Sequence, residues 1–168
     1  SEQERRILGK LPEQWENDMA TIALQRNRLV AATDGSFDPN SRNAAGSWIL
    51  ATRDVRWKIC GACPVDGDPE TLDSYRAELE ALRSLVYYLR FLRRTRPLLS
   101  RDLILIVWID NVQALKHGTG KDSQNQAPDL LQNEWDIVAD IRANCRRYNI
   151  TLLGKHVKSH QEDDGEAK

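Results

Sequence analysis

The sequence predicts an α/β domain, on three observations. Residues 103–111, Leu-Ile-Leu-Ile-Val-Trp-Ile-Asp-Asn, carry seven apolar side chains in a row straight onto a carboxylate. A short apolar run without alternation suits a strand covered on both faces, the usual condition at the centre of an α/β sheet. Shorter strand-like runs at residues 29–33, 45–51, 55–60 and 150–157 accompany it. Two long segments, residues 72–94 and one opening at Pro128, repeat their apolar residues at helical spacing instead. An acid at the carboxyl end of a central strand lies where open α/β sheets place their ligands, so Asp110 is the first candidate for chemistry.

At 168 residues the chain has the length of one domain, with enough apolar content to bury a core without disulfides or a structural metal. A formal net charge of −1 announces no polyanionic partner. Nucleic-acid binding therefore requires a local basic face or a metal site that attracts phosphate. Three cysteines form no even framework. Cys60 and Cys63 make a Cys-x-x-Cys without a second pair or nearby histidines, which argues against zinc, and Cys145 falls on a helical apolar stripe. Structural thiols in a reducing compartment are expected. Neither a signal peptide nor an apolar run long enough to span a bilayer is found. The expectation is a soluble intracellular protein, cytoplasmic or nuclear, with no membrane partner.

Residues 1–28 are charge-rich and interrupted by Gly9 and Pro12, with an amphipathic pattern from Glu13 onwards. They read as an N-terminal extension or linker, and residues 29–168 as the domain. The first strand, 29–33, ends in Asp34-Gly35-Ser36 and a turn-rich loop, Phe37-Asp38-Pro39-Asn40-Ser41. Residues 45–51 and 55–60 form a hairpin about Thr52-Arg53-Asp54, and residues 61–70, with Pro64, Gly67 and Pro69, form a loop.

In the first long helix Leu82, Leu85 and Leu89 follow Glu78 at i+4, i+7 and i+11. Glu78 therefore lies on the apolar stripe, whereas Glu80 points elsewhere. An inward carboxylate is costly unless it is paired or bound to a cation, which makes Glu78 informative. Arg76, Arg83 and Arg90, with Arg93, Arg94 and Arg96, make a basic outer face and end. A solvated face with cations near the helix C-terminus and a phosphate-binding face both fit that pattern. After the central strand come a short helical segment, 112–116, and a polar loop, 118–127. The second long helix follows, with Leu131, Trp135, Val138, Cys145 and Tyr148 as its buried stripe. The last strand leads into Lys158-Ser159-His160 and an acidic tail.

Asp34, Glu78 and Asp110 thus sit at strand ends or on an inward helical turn, and can converge if their strands are neighbours and the helix packs on them. Clustered carboxylates repel unless cations lie between them. Hard oxygen ligands without thiolates or paired histidines favour Mg²⁺ or Mn²⁺ over zinc. Two such ions, about 3.5–4 Å apart, form the clamp used for in-line displacement at phosphate, and His160 arrives as a proton carrier. Each residue alone has an ordinary explanation: turn chemistry at Asp34, a helix cap at Asp110, a buried arginine partner for Glu78, a surface position for His160. Their conjunction, in order and on the expected elements, favours phosphodiester hydrolysis.

Four short motifs carry a family resemblance. Asp34-Gly35-Ser36 precedes a glycine-containing hairpin, Arg76-Ala77-Glu78-Leu79 opens a helix, the apolar strand ends in Trp108-Ile109-Asp110-Asn111, and Val157-Lys158-Ser159-His160 follows the last strand. In this order they resemble ribonuclease H of type 1, from residue 29 to about residue 160. The wording of residues 157–164 and of Ser74-Tyr75-Arg76-Ala77-Glu78 looks closest to domains attached to reverse transcriptases of eukaryotic retroelements.

The resemblance implies a ribonuclease-H-like fold, a mixed sheet of five strands flanked by helices, that cleaves the RNA strand of an RNA·DNA hybrid with two Mg²⁺. It implies that Asp34 bridges the metals, that Glu78 and Asp110 are further ligands, and that His160 assists proton transfer or product release. Gly35, Ser36, Ser74 and Arg76 become candidates for contacts to consecutive 2′-hydroxyls. An upstream reverse transcriptase domain is an expected partner. Two departures stand out. The family's fourth carboxylate sits on a helix after the histidine, and this chain ends at Lys168 before such a helix. Asp163 or Asp164 stands in, or the ligand lies beyond Lys168, or it is absent and the site is weakened. The family's basic helix before the last long helix is also missing, since residues 118–127 offer only Lys121. The rival expectation is a catalytically weakened or silent module of the same fold that binds or connects. A transposase or integrase fits less well, lacking the Arg-x-Glu-Leu opening and the Val-Lys-x-His ending.

Overall fold

A computed structural model of the chain describes residues 1–26, 29–65, 67, 70, 72–96, 102–110 and 134–156. Its elements are α1 (Glu2–Leu8), α2 (Gln14–Gln25), β1 (Leu29–Asp38), β2 (Asn43–Thr52), β3 (Lys58–Val65), α3 (Ser74–Thr95), β4 (Leu103–Ile109), α4 (Trp135–Arg147) and β5 (Ile150–His156). The strands form one five-stranded sheet in the order β3-β2-β1-β4-β5. The hairpin strands pair antiparallel, β1 with β2 and β2 with β3, while β1 and β5 run parallel to β4 on either side. The expected mixed sheet of five strands flanked by helices is borne out. Residues 112–116, 118–127, the start of the second long helix at Pro128 with Leu131, and 157–168 with His160, Asp163 and Asp164 lie outside the described residues.

The central strand alternates more than its sequence suggests. Leu103, Leu105, Val107 and Ile109 are buried under the helices, but Ile104 and Trp108 on the opposite face stay 51% and 41% exposed among the described residues. The reason is one-sided packing: the core gathers the inward side chains of the sheet with α2, α3 and α4. Two other strands run further than expected. β1 continues past Thr33 to Asp38 because β2 pairs with it as far as Asp38 opposite Asn43. β3 turns the expected loop after Cys60 into strand through Pro64. It is an edge strand, where proline's missing N–H leaves no ladder bond unmade. Val55 and Trp57, in turn, belong to the connection rather than to the strand. Val55 takes φ of +58°, and the Thr52 amide donates to the Trp57 carbonyl at 3.0 Å to close the turn.

Helix α3 is capped by Asp73, whose side chain accepts from the Arg76 amide at 2.8 Å. It is buried around most of its girth, and here the sequence expectation for Glu80 fails: Glu78 and Glu80 are both only 5% exposed. α4 packs over the flank that carries Glu80. Burial pushes the Glu80 carboxyl upward in pKa, and the Arg83 guanidinium opposes that shift. Arg83 grips Glu80 through two nitrogens, at 2.7 and 3.1 Å, and lies 3.5 Å from Asp140 of α4. The expected basic outer face is likewise largely an interhelical seam. Arg90 pairs with Glu4 of α1 at 2.6 Å and donates to Asn144 at 3.1 Å, and Arg93 donates to the Tyr148 carbonyl at 2.6 Å. On α4 the buried positions are Ile137, Val138, Ile141 and Asn144. Trp135, Cys145 and Tyr148, expected on the stripe, are half-buried instead, because the face turned to α3 lies further round the helix.

Residues ahead of β1 pack on the same layer. Ala20 and Leu24 join the core, and Asn17 Oδ1 accepts from the Tyr88 hydroxyl at 2.6 Å. Gly9, at φ of +66°, separates α1 from the approach to α2. Among the described residues no helix is long and apolar enough to cross a membrane.

Removing one partner of a buried ion pair strands the other charge. Arg83→Ala is therefore expected to destabilise the fold by about 3–5 kcal/mol in urea denaturation at pH 7, and Arg83→Met combined with Glu80→Leu is expected to recover most of that loss. A loss below about 1 kcal/mol for Arg83→Ala would show that water screens the pair.

Candidate active site

The register of the parallel strands brings two acids together. Thr33 and Ile109 are the last paired residues of β1 and β4. Asp34 and Asp110 follow them directly, so both leave the same end of the pair, at the carboxyl edge where α/β sheets hold ligands. Asp34 is thus not the turn residue its sequence suggests. It lies within β1, at the point where that strand outruns β4 and continues with β2 alone.

Glu78 reaches them because α3 lies directly on β1. A Cβ at Gly35 would stand 2.5 Å from the Ala77 carbonyl carbon and 2.8 Å from the Ala77 Cβ, so only glycine allows the approach. The same closeness lets the Gly35 amide donate to the Glu78 carboxylate. Burial pushes the Glu78 carboxyl up to about 7. The Gly35 amide opposes that shift, while the charges of Asp34 and Asp110, and a hydrogen bond shared with Asp34, add to it. Glu78 thus holds its proton more tightly than an ordinary carboxyl group. Among the described residues, Glu78 Oε2 is buried without a hydrogen-bond partner.

Three carboxyl groups, one of them with a raised proton affinity and a buried oxygen to satisfy, suit a hard divalent cation. Among the described residues, no three His, Cys, Asp or Glu side chains stand close enough to enclose an ion as they are.

The remaining sequence candidates divide. Ser36 is exposed on β1, with Oγ 3.5 Å from the Ala45 carbonyl oxygen, and Ser74 is the exposed first residue of α3. Arg76 lies half-buried in the first turn, its Nε buried without a hydrogen-bond partner among the described residues. Gly35 forms the seat of α3. His160, Asp163 and Asp164 lie outside the described residues. The sequence reading missed Gly46, the register partner of Gly35, which meets Ala81 of α3. A glycine inside an alternating strand is the signal that marks such a close approach.

No family model and no curated protein matches the chain. Solved structures do. LC11-RNase H1, isolated from compost by a metagenomic approach and solved in complex with an RNA/DNA hybrid, matches with a TM-score of 0.56 at 14% identity, over 80% of this chain and 88% of that one. The fold is that of ribonuclease H. A second structure of LC11-RNase H1 matches with a TM-score of 0.51 at 17% identity, over 84% and 91% of the two chains. The N-terminal RNase H domain of a Mycobacterium tuberculosis protein matches with a TM-score of 0.50 at 15% identity, over 81% and 86%.

A raised carboxyl pKa makes stability fall as pH rises. The unfolded Glu78 loses its proton near the ordinary value of 4.5, while the folded one holds it to about 7. The penalty therefore builds between those values and is complete above them. In chelator, Glu78→Gln, neutral at every pH, is expected to match wild type below pH 4.5 and to exceed it by on the order of 3 kcal/mol at pH 8. Urea denaturation across that range checks this, and a difference independent of pH would contradict it.

Proposed function

We propose that this chain is a metal-dependent endonuclease that hydrolyses the RNA strand of RNA·DNA hybrids, as part of a reverse-transcribing element. The observation that carries the reading is the meeting of Asp34 and Asp110 at the end of the β1–β4 pair, with buried Glu78 laid against Asp34 by α3. The solved complex of LC11-RNase H1 with an RNA/DNA hybrid, on the same fold, supports the choice of substrate.

Asp34, Glu78 and Asp110 would hold two Mg²⁺, with Mn²⁺ as an alternative. When bound, such ions supply activation of the attacking water and charge stabilisation at the leaving oxygen. The protein's own share is positional. Asp34 stands on β1 at the point where that strand outruns β4, Asp110 directly follows β4, and the Gly35 amide orients the Glu78 carboxylate. Ser36 on β1 and Ser74 and Arg76 in the first turn of α3 are the residues proposed to meet consecutive 2′-hydroxyls, the group that separates RNA from DNA. His160, which follows β5 in the chain, is proposed to assist proton transfer or product release. The products are a 5′-phosphate and a 3′-hydroxyl. An upstream reverse transcriptase domain is the proposed partner in cis.

Matched RNA·DNA, RNA·RNA and DNA·DNA duplexes, incubated with the chain and Mg²⁺, test the reading. Only the RNA strand of the hybrid is expected to be cut, and Asp110→Asn is expected to lower the rate on the order of 100-fold or more. Hybrid binding without cutting would identify a silent module instead. Cutting that survives the substitution would remove Asp110 from the site.

A further inference from the structure

What separates α3 from the sheet changes along its length. At the end that bears Glu78 the helix rests on bare backbone. Gly35 of β1 and Gly46 of β2 are register partners, and a Cβ at Gly46 would stand 2.8 Å from the Ala81 nitrogen and 2.9 Å from the Ala81 Cα. Ala77 and Ala81, one turn apart, keep the helix side of this contact equally thin. Two residues further along β2 the spacer becomes the largest side chain available. Trp48 is 2% exposed beneath the same helix, its Nε1 donates to Ser84 Oγ at 3.1 Å, and its ring stacks on Tyr88 with centroids 4.8 Å apart. Trp48 is itself seated on Gly61 of β3, where a Cβ would stand 2.5 Å from the indole nitrogen.

We propose that this taper, from no side chain at Gly46 to an indole at Trp48, sets the tilt of α3 and presses Glu78 against Asp34. Gly46 and Trp48 are then positioning residues for the carboxylate pair, acting through the helix and touching neither substrate nor ion. A second observation points to the same end of the helix. Glu78 is 5% exposed, with Oε2 unpartnered among the described residues, a cost that core packing alone does not explain. Gly46 contacts the helix at Ala81, three residues beyond Glu78, so added volume there acts on the acid as a lever. The inference rests on reading these carboxylates as the hydrolytic centre.

Gly46→Ala tests it by lifting α3 at Ala81. The expected result is a kcat for hybrid cleavage reduced tenfold or more, KM within about twofold, and a smaller rise in Tm on adding Mg²⁺. Val138→Ala, a core change on α4 1% exposed, serves as a control with its own loss of stability and is expected to keep the wild-type kcat. If Gly46→Ala does not fold, Trp48→Leu, which thins the spacer at the other end, is read in the same way. A crystal structure of the folded variant supplies a readout independent of activity, in which the Asp34 and Glu78 carboxyl groups are expected to stand further apart than in the wild type. A wild-type kcat in a destabilised variant, or an unchanged carboxylate pair, would overturn the inference. A wild-type chain that neither cuts hybrid nor responds to Mg²⁺ would overturn the functional reading, while the variant's carboxylate geometry would still decide the role of Gly46.

Discussion

The direct contact between α3 and the glycines of the hairpin is the constraint on which the site depends. A helix resting on side chains would hold Glu78 further from Asp34. Resting on Gly35, it brings a buried carboxyl onto a neighbouring one, with Asp110 close enough for its charge to be felt. Nothing in ordinary packing rewards that arrangement. It raises the proton affinity of Glu78 and leaves Oε2 unpartnered, and both effects oppose folding at neutral pH.

Glu80 shows what the same helix does when a buried acid is structural. Two residues from Glu78 and equally buried, it is gripped by Arg83 within a seam that continues to Asp140 and Tyr87. Its charge is balanced from within the protein. Glu78 has carboxylates for neighbours and one backbone amide, so its balance must come from a shared proton or an added cation. The contrast between these two residues, more than either alone, separates a site from a salt bridge.

The sheet and the site were unevenly legible in the sequence. The apolar run of β4 and the acid ending it stood out because hydrophobic continuity is a local signal, and the spacing from Glu78 to Leu82, Leu85 and Leu89 placed that acid inward. The burial of Glu80 was not legible, because it is decided by where α4 docks, a long-range fact that periodicity on one helix does not contain. The arginines of α3 fitted a solvated or a phosphate-binding face for the same reason, since their partners Glu4, Asp140, Asn144 and Tyr148 come from other elements. Local turn chemistry misled at Asp34 and at Pro64, where cross-strand pairing carries β1 and β3 through residues that usually end strands. The exposed faces of Ile104 and Trp108 show the converse, an apolar run whose second face the described helices do not cover.

The protonation of Glu78 tests the central claim most directly. Carbon-13 labelling of glutamate carboxyl groups, assigned by Glu78→Gln, gives the titration of Glu78 in the folded chain. In chelator the midpoint is expected near 7, and Mg²⁺ or Asp34→Asn is expected to move it down toward the ordinary value of 4.5. A midpoint already at 4.5, unmoved by Mg²⁺ or by the substitution, would show that the three carboxyl groups do not share a site.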